Sequence, residues 1–217
     1  MSAADETLEE LRQELTAKIL QFFIKRPAAA NGQPAKASRL TIQRATAKVN
    51  VVAIGVSTRG PTALTHILST LPEDFPCPIV ITQHMPPMFT RLLAERLASK
   101  SRIRVEEAGE GSRLEAGLAL IAPGGHHMKF RSEKGTVFVA LDDGPPENSC
   151  RPAVDVMFRS IANIYGSNTL AVMLTGMGRD GFAGTKQLKA AEGPPCWRKI
   201  APPASFGDCL DMLWKPG

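Results

Sequence analysis

Aromatic side chains are scarce in this sequence: 6% of its 217 residues, with two tryptophans and a single tyrosine. A surface that stacks nucleic-acid bases needs more of them. The basic excess, +5 at pH 7, is scattered along the chain and forms no stripe. Nucleic acid is therefore not expected as a partner. Cysteine is also sparse. Cys77, Cys150, Cys196 and Cys209 form no C-x-x-C pair, so a zinc centre is not expected. No apolar run approaches the roughly 20 residues a membrane span requires. The first ten residues are acidic and polar, unlike a secretory signal. These absences lead to the expectation of a cytoplasmic protein with reduced thiols and no membrane insertion.

The remaining composition is that of a globular protein, 43% hydrophobic and 22% charged, with enough chain for one good-sized domain and a segment or two. Three zones differ in pattern. In residues 1–47, Leu8, Leu11, Leu15, Ile19, Leu20 and Phe23 recur at helical spacing. A stretch rich in Ala, Pro and Lys follows and reads as a linker. Residues 48–193 alternate short apolar runs with helical periods. Buried strands are predicted at Val51–Ile54, Pro78–Ile81, Leu118–Ile121 and Leu170–Leu174. Helices are predicted from Pro61 (Leu64, Ile67, Leu68 and Leu71 on one face), around Leu92, Leu93 and Leu97, over Pro152–Ile164, and over Ala183–Ala191. A hairpin is predicted around Glu133-Lys134-Gly135. Interleaved apolar strands and helices specify an α/β fold: a doubly wound, mostly parallel sheet with helices on both faces. The third zone, residues 194–217, holds five prolines, both tryptophans and two of the four cysteines. It shows no clear period and reads as an irregular tail.

Open parallel sheets bind ligands beyond the carboxyl ends of their strands. Three such ends carry Ser57 in Gly55-Val56-Ser57-Thr58-Arg59-Gly60, His84 in Gln83-His84-Met85-Pro86, and Asp180 in Gly178-Arg179-Asp180-Gly181. A serine hydroxyl needs a neighbouring base to act as a nucleophile at neutral pH. A histidine takes and returns that proton, and a carboxylate orients the imidazole. Ser57 precedes a helix, where free backbone N–H groups suit an oxyanion. The N–H groups of Thr58 and Met177 are the candidate donors. Each residue alone also has an ordinary structural reading: Ser57 as a helix cap, His84 as a loop histidine, Asp180-Gly181 as a turn. The Gly55 loop is neither G-x-S-x-G nor G-x-G-x-x-G. His126-His127 has no ligand partner at metal spacing, so no metal is expected there. His66 falls within a helical pattern and reads as structural.

Six segments in order carry a resemblance: Ala53-Ile54-Gly55-Val56-Ser57-Thr58, the run from Pro78 to Pro86, Ile121-Ala122-Pro123-Gly124-Gly125, Asp143-Gly144-Pro145-Pro146, Arg151-Pro152-Ala153-Val154-Asp155, and the run from Leu174 to Gly181. Over about residues 48–193 the sequence resembles the catalytic domain of the chemotaxis methylesterase family, CheB. The resemblance implies Ser57 as nucleophile, His84 as base and Asp180 as carboxylate, with Thr58 and Met177 beside them. It further implies hydrolysis of glutamate methyl esters on methyl-accepting chemotaxis receptors with release of methanol, deamidation of certain receptor glutamines, and no cofactor. This chain departs from the family in three places. Arg59 stands where the family generally has glycine. Ahead of the catalytic zone there is no room for the response-regulator domain that members usually carry, so control by phosphorylation is not expected of this chain. Residues 194–217 lack the family's last strand, and low stability and little activity are expected from that ending. Two alternatives stay open on the residues. One is a non-catalytic relative that binds receptors. The other is a nucleotide-binding α/β domain using the Gly55 loop, which lacks the basic residue of a P-loop.

Overall fold

The computed structural model describes residues 48–58, 60–174 and 178–191. The predicted N-terminal helix and linker and the predicted irregular tail lie outside the described residues. Within them the order is β1 (Val51–Val56), α1 (Gly60–Leu68), β2 (Ile79–Gln83), α2 (Pro87–Ala98), β3 (Arg104–Glu107), β4 (Leu118–Ile121), β5 (His127–Glu133), β6 (Thr136–Asp142), α3 (Val154–Tyr165), β7 (Thr169–Met173) and α4 (Phe182–Ala190).

Five strands form one sheet in the order β3-β4-β2-β1-β7, and every neighbouring pair is parallel. β1, β2, β4 and β7 are buried along their whole length. That is why they read as continuous apolar runs rather than as alternation. Their side chains still divide by parity. Val52, Ile54, Ile79, Ile81, Leu170 and Val172 pack with Leu64, Ile67 and Leu68 of α1 and Leu93, Ala94 and Leu97 of α2. Val51, Ala53, Val80, Ala171 and Met173 pack on the other side with Val154, Met157, Phe158 and Ile161 of α3 and Leu188 of α4. Helices therefore cover both faces of the parallel sheet, as the alternating pattern predicts. Each fully buried Leu, Ile or Phe in these layers contributes on the order of 1.5–3 kcal/mol. The predicted hairpin is also present. β5 and β6 pair antiparallel from His127↔Asp142 to Glu133↔Thr136 around Lys134-Gly135, and Met128, Phe130, Val137 and Val139 join the second cluster.

Three details differ from the sequence reading. β3 was not expected. It is an edge strand of Arg104-Val105-Glu106-Glu107 in which only Val105 is buried, and its charges mask the strand while protecting the edge. Leu92 was grouped with Leu93 and Leu97, but it is 59% exposed beside Met88 and Phe89 on the outer side of α2. The face α2 buries is Thr90, Leu93, Ala94 and Leu97. Leu71 is buried as predicted, but from the turn after α1 and not from the helix itself.

β1 is central to the site because the later strands add to the sheet on both sides of it. β2 follows it on one side, and β7, the last described strand, lies on the other. Such a switch in strand order opens a crevice at the carboxyl ends.

Candidate functional site

The sheet register brings the three predicted residues together. Val56 pairs with Gln83 and Gly55 with Met173. The His84 N–H donates to the Val56 carbonyl at 3.2 Å, and the Leu174 N–H to the Gly55 carbonyl at 3.0 Å. Ser57, His84 and the loop carrying Asp180 thus leave the sheet side by side. The buried Gln83 amide secures the first two, with Nε2 donating to the carbonyls of Ser57 at 2.9 Å and His84 at 3.3 Å. A side chain at Gly60 would strike this amide.

His84 lies between the other two. Nε2 is 2.6 Å from Asp180 Oδ2, and Nδ1 is 3.3 Å from Ser57 Oγ. A carboxylate only accepts, so the ring proton belongs on Nε2 and the Nδ1 lone pair faces the serine hydroxyl. The Ser57 contact is long for an O–H···N bond, as is common in sites without substrate.

Asp180 is held from several directions. Its side chain is 6% exposed. Oδ2 also accepts from the Val154 N–H at 2.7 Å, and Oδ1 accepts from the Asp155 N–H at 2.9 Å. These N–H groups open helix α3, so the carboxylate sits on its positive end. Burial alone would raise the Asp180 pKa. The bonds from His84 and from the Asp155 and Val154 N–H groups, together with the nearby His84, outweigh burial and hold it below the usual carboxylate value. Gly181, at φ 92°, turns the chain directly into α4. A side chain there would be strained and would meet Met173 Sδ at 2.8 Å.

A second carboxylate lies behind the first. Asp155 is 2% exposed. Oδ1 accepts from the Gly184 N–H at 2.7 Å and Oδ2 from Asn148 Nδ2 at 3.0 Å. The Asn148 amide also lies 3.4 Å from Asp180 Oδ1, so it spans both acids. Burial, added to by the Asp180 charge, pushes the Asp155 pKa up against the Gly184 and Asn148 bonds. Asn148 and Ser149 both adopt positive φ, 51° and 62°. Non-glycine residues take such angles mainly where the surroundings enforce them. Glu147 anchors this loop by a two-pronged pair with Arg159, at 2.7 and 2.5 Å. The guanidinium holds the Glu147 carboxyl below its usual range.

Of the candidate oxyanion donors, Thr58 lies exposed in the turn before α1, and Met177 lies outside the described residues, as does Arg59. His126 and His127 diverge. His126 pairs with Asp143 at the surface. His127 is buried, with Nδ1 accepting from the Ala153 N–H and Nε2 donating to the Pro145 carbonyl. Both nitrogens of His127 are satisfied structurally. His66 lies half-buried in α1.

Cys150 also reaches this site. Each of His84, Cys150 and Asp180 offers a ligand atom within 4.8 Å of the others, the only such trio of His, Cys, Asp or Glu among the described residues. Burial, and then the Asp180 charge, pushes the Cys150 thiol up.

The sequence model of the family described as CheB methylesterase matches residues 52–198. The chain belongs to the CheB methylesterase family. A protein-glutamate methylesterase/protein-glutamine glutaminase of Trichodesmium erythraeum is 43% identical over 199 residues, covering 89% of this chain and 56% of that protein. A protein of the same name from Thermotoga maritima is 44% identical over 183 residues, covering 84% of this chain and 53% of that one. The chain thus spans about half the length of these curated relatives. The crystal structure of the Thermotoga maritima CheB methylesterase catalytic domain superposes with a TM-score of 0.66 at 46% identity, covering 67% of this chain and 77% of that one. The mostly parallel five-stranded sheet with its small hairpin is the CheB catalytic-domain fold.

Sequence reasoning did not assign roles to Gln83, Asn148, Asp155 or Cys150. Asp155 carried one available signal, an acid in the first turn of a predicted helix. The others converge only through folded loops.

Proposed function

We propose that this chain is a protein-glutamate methylesterase and protein-glutamine glutaminase acting by acyl transfer on methyl-accepting chemotaxis receptors. The observation that carries this reading is the double engagement of His84, by Asp180 at 2.6 Å and by Ser57 at 3.3 Å, at the switch point of the sheet. The family membership and the names of the relatives support this substrate class.

In this mechanism Ser57 Oγ attacks the carbonyl carbon of a glutamyl methyl ester, and its proton passes to His84 Nδ1. The imidazolium is stabilised by Asp180, whose negative charge is preserved by its bonds to the Val154 and Asp155 N–H groups. The carbonyl oxygen becomes an oxyanion held by the Thr58 and Met177 N–H groups. Collapse of the tetrahedral intermediate breaks the C–O bond to methoxide, which takes the proton from His84 and leaves as methanol. Water then gives a proton to His84 and attacks the acyl-enzyme, releasing glutamate and restoring the Ser57 hydroxyl. A glutamine substrate follows the same course with ammonia as the leaving group. No cofactor takes part, and the substrates on receptor helices place the reaction in the cytoplasm. Residues 48–193 form the catalytic unit in this reading.

The test uses purified full-length chain, a methylated receptor fragment and a fluorophosphonate probe. Wild type should label stoichiometrically at Ser57 and release methanol. Ser57→Ala should take no label and lose activity by a factor on the order of 10⁶. Methanol release surviving in Ser57→Ala would reject Ser57 as the nucleophile.

A further inference from the structure

We propose that His84, Cys150 and Asp180 form a binding site for a thiophilic divalent cation such as Zn²⁺ or Cd²⁺, and that the bound ion disables Ser57. The trio places one nitrogen, one sulfur and one oxygen within 4.8 Å of each other. In a tetrahedral zinc site, with Zn–N and Zn–O near 2.0–2.2 Å and Zn–S near 2.3 Å, ligand atoms sit roughly 3.3–3.7 Å apart. The longer separations must close by about 1 Å, and the His84–Asp180 contact must open from 2.6 Å as the ion replaces the ring proton; side-chain rotations at Cys150 and Asp180 supply both. Cys150 ends a tight turn closed by paired backbone hydrogen bonds with Glu147, at 3.0 and 2.9 Å.

The donor set selects the ion. Magnesium and calcium demand oxygen ligands, whereas thiolate with imidazole and one carboxylate suits zinc or cadmium. The ligands are also supported from behind. Asp180 is fixed by the Val154 and Asp155 N–H groups, as metal-binding carboxylates usually are. The Asp180 charge contributes to keeping the thiol protonated, which makes Cys150 a poor candidate for a redox sensor, since that role needs an available thiolate. A divalent ion is attracted by the same charge and displaces the thiol proton to solvent, so one proton is released per ion bound.

Inhibition follows from the imidazole. An ion on Nε2 leaves the ring proton on Nδ1, which then points at Ser57 Oγ as a donor. An ion on Nδ1 consumes the lone pair directly. Either way Ser57 loses its proton acceptor.

Binding can be read without substrate. Reduced full-length protein is titrated with Cd²⁺ while the ultraviolet thiolate-to-cadmium band is followed. Cys77, Cys196 and Cys209 are common to all variants, so the measured quantity is the difference from wild type. Cys150→Ser should lose one equivalent of the band, and His84→Gln should bind that equivalent at least about a hundredfold more weakly. In unmutated protein, Zn²⁺ but not Mg²⁺ should slow alkylation of Cys150 by iodoacetamide, mapped by peptide mass. From neutral pH up to the onset of thiol ionisation, the apparent affinity should rise about tenfold per pH unit, the signature of one displaced proton. An unchanged band in Cys150→Ser, wild-type affinity in His84→Gln, or unprotected Cys150 would overturn the site. The disabling of Ser57 is tested separately: Zn²⁺ should slow fluorophosphonate labelling in proportion to occupancy. Labelling that proceeds at full rate with the site filled would overturn that part. No labelling even without metal would count against the proposed hydrolase activity, while the cadmium titration still decides the site.

Discussion

The two faces of the sheet are built differently. Beneath α1 and α2 the interior is aliphatic, with Ile54, Leu64, Leu68, Ile81 and Leu97 locked together. Beneath α3 and α4 an apolar layer of similar extent borders a polar one, where Asp155, Asn148 and Asp180 share hydrogen bonds and Thr82 donates to Met157 Sδ. Burial is non-directional, so the first face contributes stability without fixing any atom to a fraction of an ångström. Hydrogen bonds are directional and strict, and the second face uses them to aim one carboxylate. Changes on the first face should therefore be felt in unfolding, and changes on the second in turnover.

The strongest test of that division is Asp180→Asn. The acceptor of the His84 proton is weakened and the favoured tautomer changes, so kcat should fall by a factor on the order of 10⁴ with the fold retained. Ester hydrolysis together with a melting curve checks both halves. If the variant unfolds instead, the polar face bears stability after all.

Leu64→Ala probes the opposite face. It should cost about 2–5 kcal/mol in denaturant unfolding. The pH profile and KM of the folded fraction should match wild type, and a shifted pH profile would show that the aliphatic layer also orients the site.

Asn148→Gly returns to the polar side with a smaller expected effect. It keeps the positive φ accessible but removes the amide that spans the two acids. Loss of position without loss of a reacting group should lower kcat by roughly ten- to a hundredfold and leave KM nearly constant. A rise in KM alone would instead assign Asn148 to substrate binding.

The smallest effect concerns pH and stability. The folded pKa of Asp180 lies below its unfolded value. Its contribution is therefore present above the unfolded value, about pH 4, and is lost as pH falls through the folded value. Asp155 has the opposite sign: its pKa is raised, so its contribution is present at acid pH and lost as pH rises through the folded value. Wild type should lose stability to urea below about pH 4, and Asp180→Asn should show a shallower loss. Equal slopes would mean that the Asp180 bonds do not differ between folded and unfolded chains.

The sheet was legible because its inner strands are buried on both sides, which leaves continuous apolar runs such as Val51–Ile54 and Leu170–Leu174. β3 was not, since an edge strand with one buried residue has no apolar signature. The helices were legible as elements, but the apolar residues alone did not define the buried face of α2, where Thr90 is buried and Leu92 is exposed. Ser57, His84 and Asp180 stood out as reactive types at strand ends and through the family resemblance. Their support did not stand out. Gln83 and Asp155 act on backbone groups, and Asn148 on two carboxylates, that reach them only after folding, and no spacing in the chain encodes that meeting. The same holds for Cys150.

The Gln83 amide has a consequence for motion. By grasping the carbonyls of both Ser57 and His84, it couples two loops of adjacent strands into one body. Asp180 rides on another body, the start of α3, through the Val154 and Asp155 amides. The seam between the two bodies runs through the His84–Asp180 hydrogen bond. Any displacement of α3 relative to β1 and β2 would load that bond, while the backbones carrying Ser57 and His84 would move together. Such a displacement would change how firmly the imidazole is held by Asp180 more than how far it stands from Ser57.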